Sequence, residues 1–153
     1  MFGTMNAEIK IVSIEDLEIL LPLVRAFHEF EDIPIADDRR KSSLTMLLVN
    51  KELGGIWLIY CDRQPVGYIA LSVGYSIEFG GKDAFINEFY IRPEFRGKGL
   101  GTQTLEFMKI AAKDLDIRAT HLEVARTNTN AHRLYARANF KTREKYVLMS
   151  VNL

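Results

Sequence analysis

Seven consecutive residues, Arg96-Gly97-Lys98-Gly99-Leu100-Gly101-Thr102, include three glycines and two cationic side chains. That composition suits bringing backbone N–H groups close to a phosphate. Glycine lacks the Cβ that would hold an anion away from the main chain, and it enters left-handed conformations without strain. Where such a loop runs into a helix, the unpaired N–H groups and positive dipole end of the helix complete an anion site. The plainer alternative is a surface turn with solvated cations. Spacing tests two phosphate patterns. A Walker A loop requires Gly-Lys followed by Ser or Thr, but here Lys98 precedes Gly99 and Leu100. The dinucleotide fingerprint requires Gly-x-Gly-x-x-Gly, but Gly97, Gly99 and Gly101 alternate, and no early strand–loop–helix unit carries the pattern. The spacing present is Arg-x-x-Gly-x-Gly, from Arg96 through Gly99 to Gly101. Cys61, the single cysteine, ends an apolar run and reads as a packed or strand-end thiol rather than a nucleophile.

The elements that must position this loop follow from periodicity. The run Ala84–Ile91 before it reads as a strand, and Leu105, Met108, Ala112 and Leu115 after it fall on one helical face. Upstream, Ile9–Val12 reads as a short strand. Ser13 with Asp16 three residues on is a capping-box-like start for a helix carrying Leu17, Leu20, Leu21, Val24 and Phe27. Pro22 should kink or restart that helix. Residues 32–36, with Pro34, form a loop. A second helix spans about Asp37–Lys51, with Leu44, Leu47 and Leu48 inward, and Gly54-Gly55 ends it. Ile56–Tyr60 and Pro65–Tyr75 are strands around a turn at Asp62-Arg63-Gln64, and Gly80-Gly81 turns the chain into the third. These three strands suggest an antiparallel meander. His121–Val124 is a further strand, Asn130–Ala138 a short helix, and Tyr146–Asn152 alternates like an edge strand. The order describes a mixed α/β sheet in one layer system.

With 153 residues the chain is expected to form one domain, 1–153, large enough for a real core. Twenty Lys and Arg balance twenty Asp and Glu, which speaks against a nucleic-acid binder that works by cationic excess. A lone cysteine excludes an internal disulfide and fits a reducing compartment. No signal peptide and no apolar run of membrane-span length is visible, so a cytoplasmic location is expected. Met5 offers an alternative start that would leave Met1–Thr4 as a disordered leader.

Four blocks in order make the stretch Phe85–Phe140 resemble the GNAT (Gcn5-related) N-acetyltransferase superfamily. Asn87-Glu88-Phe89-Tyr90-Ile91-Arg92-Pro93 looks like the family's central strand. Arg96-x-x-Gly99-x-Gly101 matches its pyrophosphate loop, and His121-Leu122-Glu123-Val124 looks like the next strand. Asn128-x-x-Ala131-x-x-Leu134-Tyr135, closing at Phe140, matches its last block. One departure is Asn139, where many members have Gly. Asn is the usual substitute in a left-handed cap, so the cap should survive.

The resemblance implies a GNAT fold: a mixed, mostly antiparallel sheet, helices on both faces, and a splayed strand pair that binds acyl-CoA. It implies transfer of an acetyl group from acetyl-CoA to an amine by direct attack, without a metal. Backbone N–H groups of Arg96, Gly97, Lys98, Gly99, Leu100, Gly101 and Thr102 would hold the CoA pyrophosphate. The backbone of Phe89, Tyr90 and Ile91 would pair with the pantetheine arm like an added strand, and an N–H there would stabilise the oxyanion. Asn128 would contact the CoA arm, its alternative role being to cap the following helix in competition with Asn130. Tyr135, a phenol with pKa about 10, would donate a proton to the leaving thiolate. Glu88, on the central strand beside the thioester position, would be the general base, with Glu78, Glu29, Glu31 and His28 as alternatives and a water relay as a further route.

The acceptor is not specified by these residues. Glu29, Glu31, Asp32, Asp37 and Asp38 would favour a cationic acceptor such as a polyamine or aminoglycoside. Arg39, Arg40 and Lys41 follow at once, so a solvated acidic loop is the better reading. Trp57, Tyr68, Tyr75 and Phe79 read as core or sheet-face aromatics without a site role. The competing function is a catalytically silent acyl-CoA-binding or sensing module. Two copies could pair as a homodimer through the edge of the last strand.

Overall fold

The computed structural model describes residues 3–153; Met1 and Phe2 of the expected leader lie outside the described residues. The chain divides into two compact units, one running through Glu123 and the other Val124–Leu153. The first is built on a five-stranded sheet in the order β1 (Glu8–Ile11), β2 (Gly54–Cys61), β3 (Gln64–Ser76), β4 (Gly81–Ile91) and β5 (Ile117–His121). The first four strands pair antiparallel, and β4 with β5 parallel. Three helices belong to this unit: α1 (Leu17–Phe30), α2 (Asp37–Val49) and α3 (Leu100–Asp114).

Strand alternation divides the sheet into two faces. Ile56 and Leu58 of β2, Tyr68 and Ala70 of β3, and Tyr90 of β4 meet Leu20, Val24 and Leu44 from α1 and α2. Ile59, Cys61 and Val66 turn the other way and pack with Leu100 of α3, joined at the rim by Phe89 and Ile91. Helices therefore cover both faces, as the family resemblance implies. Leu20, Leu23 and Val24 are almost fully buried. Each such side chain contributes roughly 1.5–3 kcal/mol, which explains how α1 runs unbroken through Pro22 although proline removes one helical bond. A one-turn 3-10 segment, Ile14–Asp16, leads into α1, and the Ser13 N–H donates to the Asp16 carboxylate at 3.0 Å, the expected cap.

Two irregularities of pairing mark β4. Its pairing with β5 ends at Phe85 opposite His121, so the residues of β4 from Ile86 onward have no β5 partner. Register between β3 and β4 also slips, with Ala70 opposite Glu88 but Leu71 opposite Ile86. Asn87 is thus the extra residue of a bulge, a device that re-aims neighbouring side chains. Gly67 lies opposite Ile91. A Cβ there would stand 2.2 Å from the Tyr90 carbonyl oxygen, so the close approach of the two strands requires glycine.

Some elements lie elsewhere than the local pattern suggests. The strand expected at His121–Val124 lies earlier, at Ile117–His121, because parallel pairing with β4 selects the residues from Ile117 rather than the more apolar run after it. Leu115, expected inward, caps the end of α3 and is 46% exposed, since the helix stops one residue before it. Gly54-Gly55 opens β2 rather than ending α2, which stops at Val49 before a 3-10 turn at Lys51–Leu53. Met5, the alternative start, is tied to the glycine loop: its N–H donates to the Lys98 carbonyl at 2.9 Å.

In the second unit, α4 (Thr129–Arg137) ends on Asn139 at φ 70°, the left-handed cap expected of asparagine. Tyr146–Asn152 forms no strand. Its apolar side chains, from Tyr146 to Val151, are more than half exposed, and without a neighbouring ladder the alternating pattern has nothing to pair with. The edge expected to support a homodimer is therefore missing.

Gly67→Ala is expected to cost about 1–3 kcal/mol by overpacking, lowering the thermal midpoint by roughly 2–4 °C per kcal/mol. A midpoint equal to wild type in differential scanning calorimetry would contradict the close approach.

Candidate active site

Glu88 lies on β4 immediately after the bulge. Its side chain turns to the face covered by α1 and α2 and is about a quarter exposed (23%), so it meets solvent at one end only. Both oxygens are engaged. Oε1 accepts from the Tyr68 hydroxyl at 2.7 Å, and Oε2 lies 2.6 Å from His28 Nε2. Cross-strand register explains the reach. Ala70 stands opposite Glu88, and Tyr68 is two residues along the same face, leaving open space beside a small side chain. Burial, and then the Glu88 charge, push the Tyr68 phenol well above its ordinary pKa, so it stays protonated and donates.

His28 comes from the last turn of α1 and is buried, as is Arg40 from α2. The Arg40 Nε–H donates to His28 Nδ1 at 3.0 Å, its Nη2 donates to the Ile35 carbonyl at 3.1 Å, and its Nη1 donates to Asp37. A chain of polar contacts thus runs from Asp37 through Arg40 and His28 to Glu88 and Tyr68. Among the described residues, no buried side-chain nitrogen or oxygen is left unpaired.

This chain forms one wall of a cavity of about 710 Å³. Leu44, Leu47, Ile56 and Ala70 give it apolar surface, and Glu31, Glu88 and Glu123 bring three carboxylates. Arg40, the arginine at its wall, is already paired with Asp37.

At the end of β4 the phosphate-type loop takes the form its glycines allow. Gly97 and Gly99 have φ of 73° and 85°, the left-handed region that favours glycine. Gly99 caps α3, so the first N–H groups of that helix, at Leu100, Gly101 and Thr102, have no intrahelical acceptor. The two cations fold back on the loop. Arg96 Nε donates to the Ile91 carbonyl at 2.7 Å, with its guanidinium over the Phe30 and Tyr90 rings, and Lys98 Nζ donates to the Glu94 carbonyl at 2.9 Å. Phe89, Tyr90 and Ile91 lie in the stretch of β4 without a β5 partner. Cys61 is buried at the end of β2, 3.8 Å from Met5 Sδ, and burial followed by the Asp62 charge raises its thiol pKa, which fits a packed thiol.

In the second unit, Asn128 caps α4, with Oδ1 accepting from the Ala131 N–H at 3.1 Å. The Tyr135 ring lies 5.8 Å from that of Phe140 in an edge-on contact. Among the described residues, no group of three or more metal-ligating side chains is present, and no helix is long and apolar enough to cross a membrane.

The family model for the acetyltransferase (GNAT) family matches residues 18–140. The chain belongs to this family. It is similar to an uncharacterized N-acetyltransferase of Archaeoglobus fulgidus, at 27% identity over 139 residues that span 90% of this chain and 95% of that protein. Among solved structures it resembles an integron cassette protein from the mobile metagenome of Cole Harbour Salt Marsh, with TM-score 0.83, 32% identity, and coverage of 94% of this chain and 89% of the other. It also shares the fold of a predicted acetyltransferase of Clostridium acetobutylicum crystallised with acetyl-CoA, with TM-score 0.78, 17% identity, and coverage of 95% and 96%.

Within this GNAT frame, the sequence alone points to Glu88 but not to its surroundings. Tyr68 reads there as a sheet-face aromatic, Arg40 as part of a solvated charge run, and His28 as an alternative base rather than a partner of Glu88. A signal for Arg40 and His28 is present in the spacing. Arg40 precedes Leu44 by four residues and His28 follows Val24 by four, so each shares a helical face with a core residue. Tyr68 carries no comparable mark, since tyrosine on a strand is common.

The Tyr68 phenol makes alkaline stability a test of this arrangement. The folded chain holds the phenolic proton more tightly than the unfolded chain, where a phenol ionises near pH ~10. Its contribution is complete below that pH and is lost as the pH rises above it. Urea midpoints should fall more steeply above about pH 10 in wild type than in Tyr68→Phe; equal slopes would count against the buried phenol.

Proposed function

We propose that this protein transfers an acetyl group from acetyl-CoA to a primary amine of a small molecule or peptide, by direct attack within a ternary complex. The observation that carries the reading is Glu88: a carboxylate held by donors on both oxygens, open at one end to a cavity with room for an acceptor. An aliphatic amine is protonated at neutral pH, with pKa near ~10. It must lose that proton before its lone pair can attack the thioester carbon. Glu88 takes the proton as general base. Glu31 and Glu123 line the same cavity while Arg40 is already neutralised by Asp37, which favours entry of a cationic amine.

The donor reading rests on family membership and on the loop. Backbone N–H groups of residues 96–102, with the start of α3, bind the pyrophosphate. Phe89, Tyr90 and Ile91 offer their unpaired strand edge to the pantetheine arm. Asn128 contacts the arm, and Tyr135 protonates the departing CoA thiolate. The family match runs across the boundary between the two compact units, which supports a single acetyltransferase domain over 1–153. No metal takes part in this reading, and the cytoplasm, where acetyl-CoA and reduced thiols occur together, is its natural setting.

Glu88→Gln should lower kcat/KM about 10²- to 10⁴-fold and flatten the rising limb of its pH profile; an unchanged profile would remove Glu88 from the mechanism. Tyr135→Phe should lower kcat while calorimetric acetyl-CoA affinity stays near wild type, and equal kcat would end the acid role. A thiol-release assay over polyamines, amino acids, aminoglycosides and peptide N-termini tests the whole reading. Acetyl-CoA binding without amine-dependent thiol release would instead favour a silent sensing module.

A further inference from the structure

We propose that Arg40 is a positioning residue for this reaction: acting through His28, it locks the imidazole as the neutral Nε2–H tautomer and leaves Glu88, rather than His28, as the member of this pair that takes up and releases a proton. This inference rests on the general-base reading of Glu88.

The geometry leaves His28 little choice. A guanidinium has only donors and does not deprotonate in proteins. Arg40 Nε therefore donates, and His28 Nδ1, at 3.0 Å, must offer its lone pair. The ring proton then sits on Nε2 and points at Glu88 Oε2, 2.6 Å away. A second proton on Nδ1 would set two N–H groups against each other in a buried contact. The planar fork of arginine makes the arrangement stiff, because Nη1 and Nη2 are held at the same time by Asp37 and the Ile35 carbonyl. Lysine, whose three donors share one nitrogen, lacks the spread fork that reaches all three partners at once.

Arg40 of α2 and Glu88 of β4 contact His28 directly, and through them the network reaches Asp37 of α2 and Tyr68 of β3, while Glu31, just past α1, and Glu123 line the same cavity. Among them only Arg40 meets Nδ1 in a hydrogen bond. A histidine bonded to a carboxylate ordinarily passes protons along, and that route ends here at a group that cannot accept one. The proton balance is then simple. The acceptor ammonium gives one proton to Glu88, which passes it to water in the cavity; the second proton, lost from nitrogen after attack, balances the one that Tyr135 gives to the CoA thiolate; and His28 begins and ends with its proton on Nε2. The carboxylate keeps its orientation through the cycle because its two donors never change.

The test combines histidine-selective ¹⁵N NMR with pH-rate profiles on the full chain. In wild type, the His28 resonances, assigned by their loss in His28→Gln, should show a bare Nδ1 and a protonated Nε2 at neutral pH. The acid limb of kcat/KM should follow one ionisation. In Arg40→Met, the His28 spectrum should show both tautomers, and kcat/KM at neutral pH should fall about tenfold, a fraction of the ~10²–10⁴ that a positioned base supplies. A wild-type His28 whose proton at neutral pH sits on Nδ1, or on both ring nitrogens, would overturn the proposal, as would an Arg40→Met variant with the wild-type tautomer and the wild-type kcat/KM. If Arg40→Met does not fold, the wild-type spectrum and His28→Gln decide. The glutamine amide can donate to Glu88 but cannot titrate, so the profile should keep its shape, and a changed shape would overturn the proposal. Failure of the general-base reading shows separately, as an unchanged profile in Glu88→Gln, and leaves the His28 spectrum to report on Arg40 alone.

Discussion

A carboxylate that is three-quarters buried must find donors for its oxygens or lose its charge, and the first unit is arranged around meeting that requirement at Glu88. Strand β3 brings the Tyr68 hydroxyl, and helix α1 brings the His28 imidazole. Helix α2 brings Arg40, which in turn needs Asp37 and the Ile35 carbonyl. Three elements distant in sequence are thus pinned to one side chain on β4. Such a network gains its value by being complete, since each missing partner would leave a buried polar group unsatisfied.

The same stretch of β4 answers a second requirement. A strand that is to accept an outside chain must leave one edge unpaired, yet stay anchored on the other. Pairing with β5 ends at Phe85, while pairing with β3 continues to Ile91. The bulge at Asn87 lies where the partner is lost, and beyond it Glu88 faces the cavity while Phe89 turns to the α3 side. Glu88 and Phe89 are therefore neighbours that issue on opposite faces of one strand. Arg96 closes the far end by bonding the Ile91 carbonyl and lying over Tyr90, which ties the glycine loop to the strand it follows.

Electrostatics in the cavity depend on the network. Arg40 would be a strong cation at its wall, but Asp37 neutralises it, and its donors point to His28, Asp37 and Ile35 rather than into the open space. The acidic side chains of the loop between α1 and α2, which read in the sequence as a solvated face, divide by role. Asp37 holds Arg40 and Arg25, while Glu31 lines the cavity.

Short-range information determined much about this protein. Period-3.6 leucines placed α1, α2 and most of α3; apolar, Val-, Ile- and Tyr-rich runs between turns placed β2, β3 and β4; and glycine spacing placed the loop and the start of α3, because each depends on residues a few positions apart. It also carried the family, since the ordered blocks from Asn87 to Phe140 lie within continuous stretches. Features that depend on distant partners were decided only by the tertiary structure. The place of β5 was set by its register with β4 rather than by local hydrophobicity, and Tyr146–Asn152 formed no strand although its residues alternate. Helical spacing puts His28 and Arg40 on core-facing sides of their helices, but that Tyr68 and His28 meet Glu88, and Arg40 meets His28, was decided by folding, since a hydrogen bond across 60 residues has no local signature.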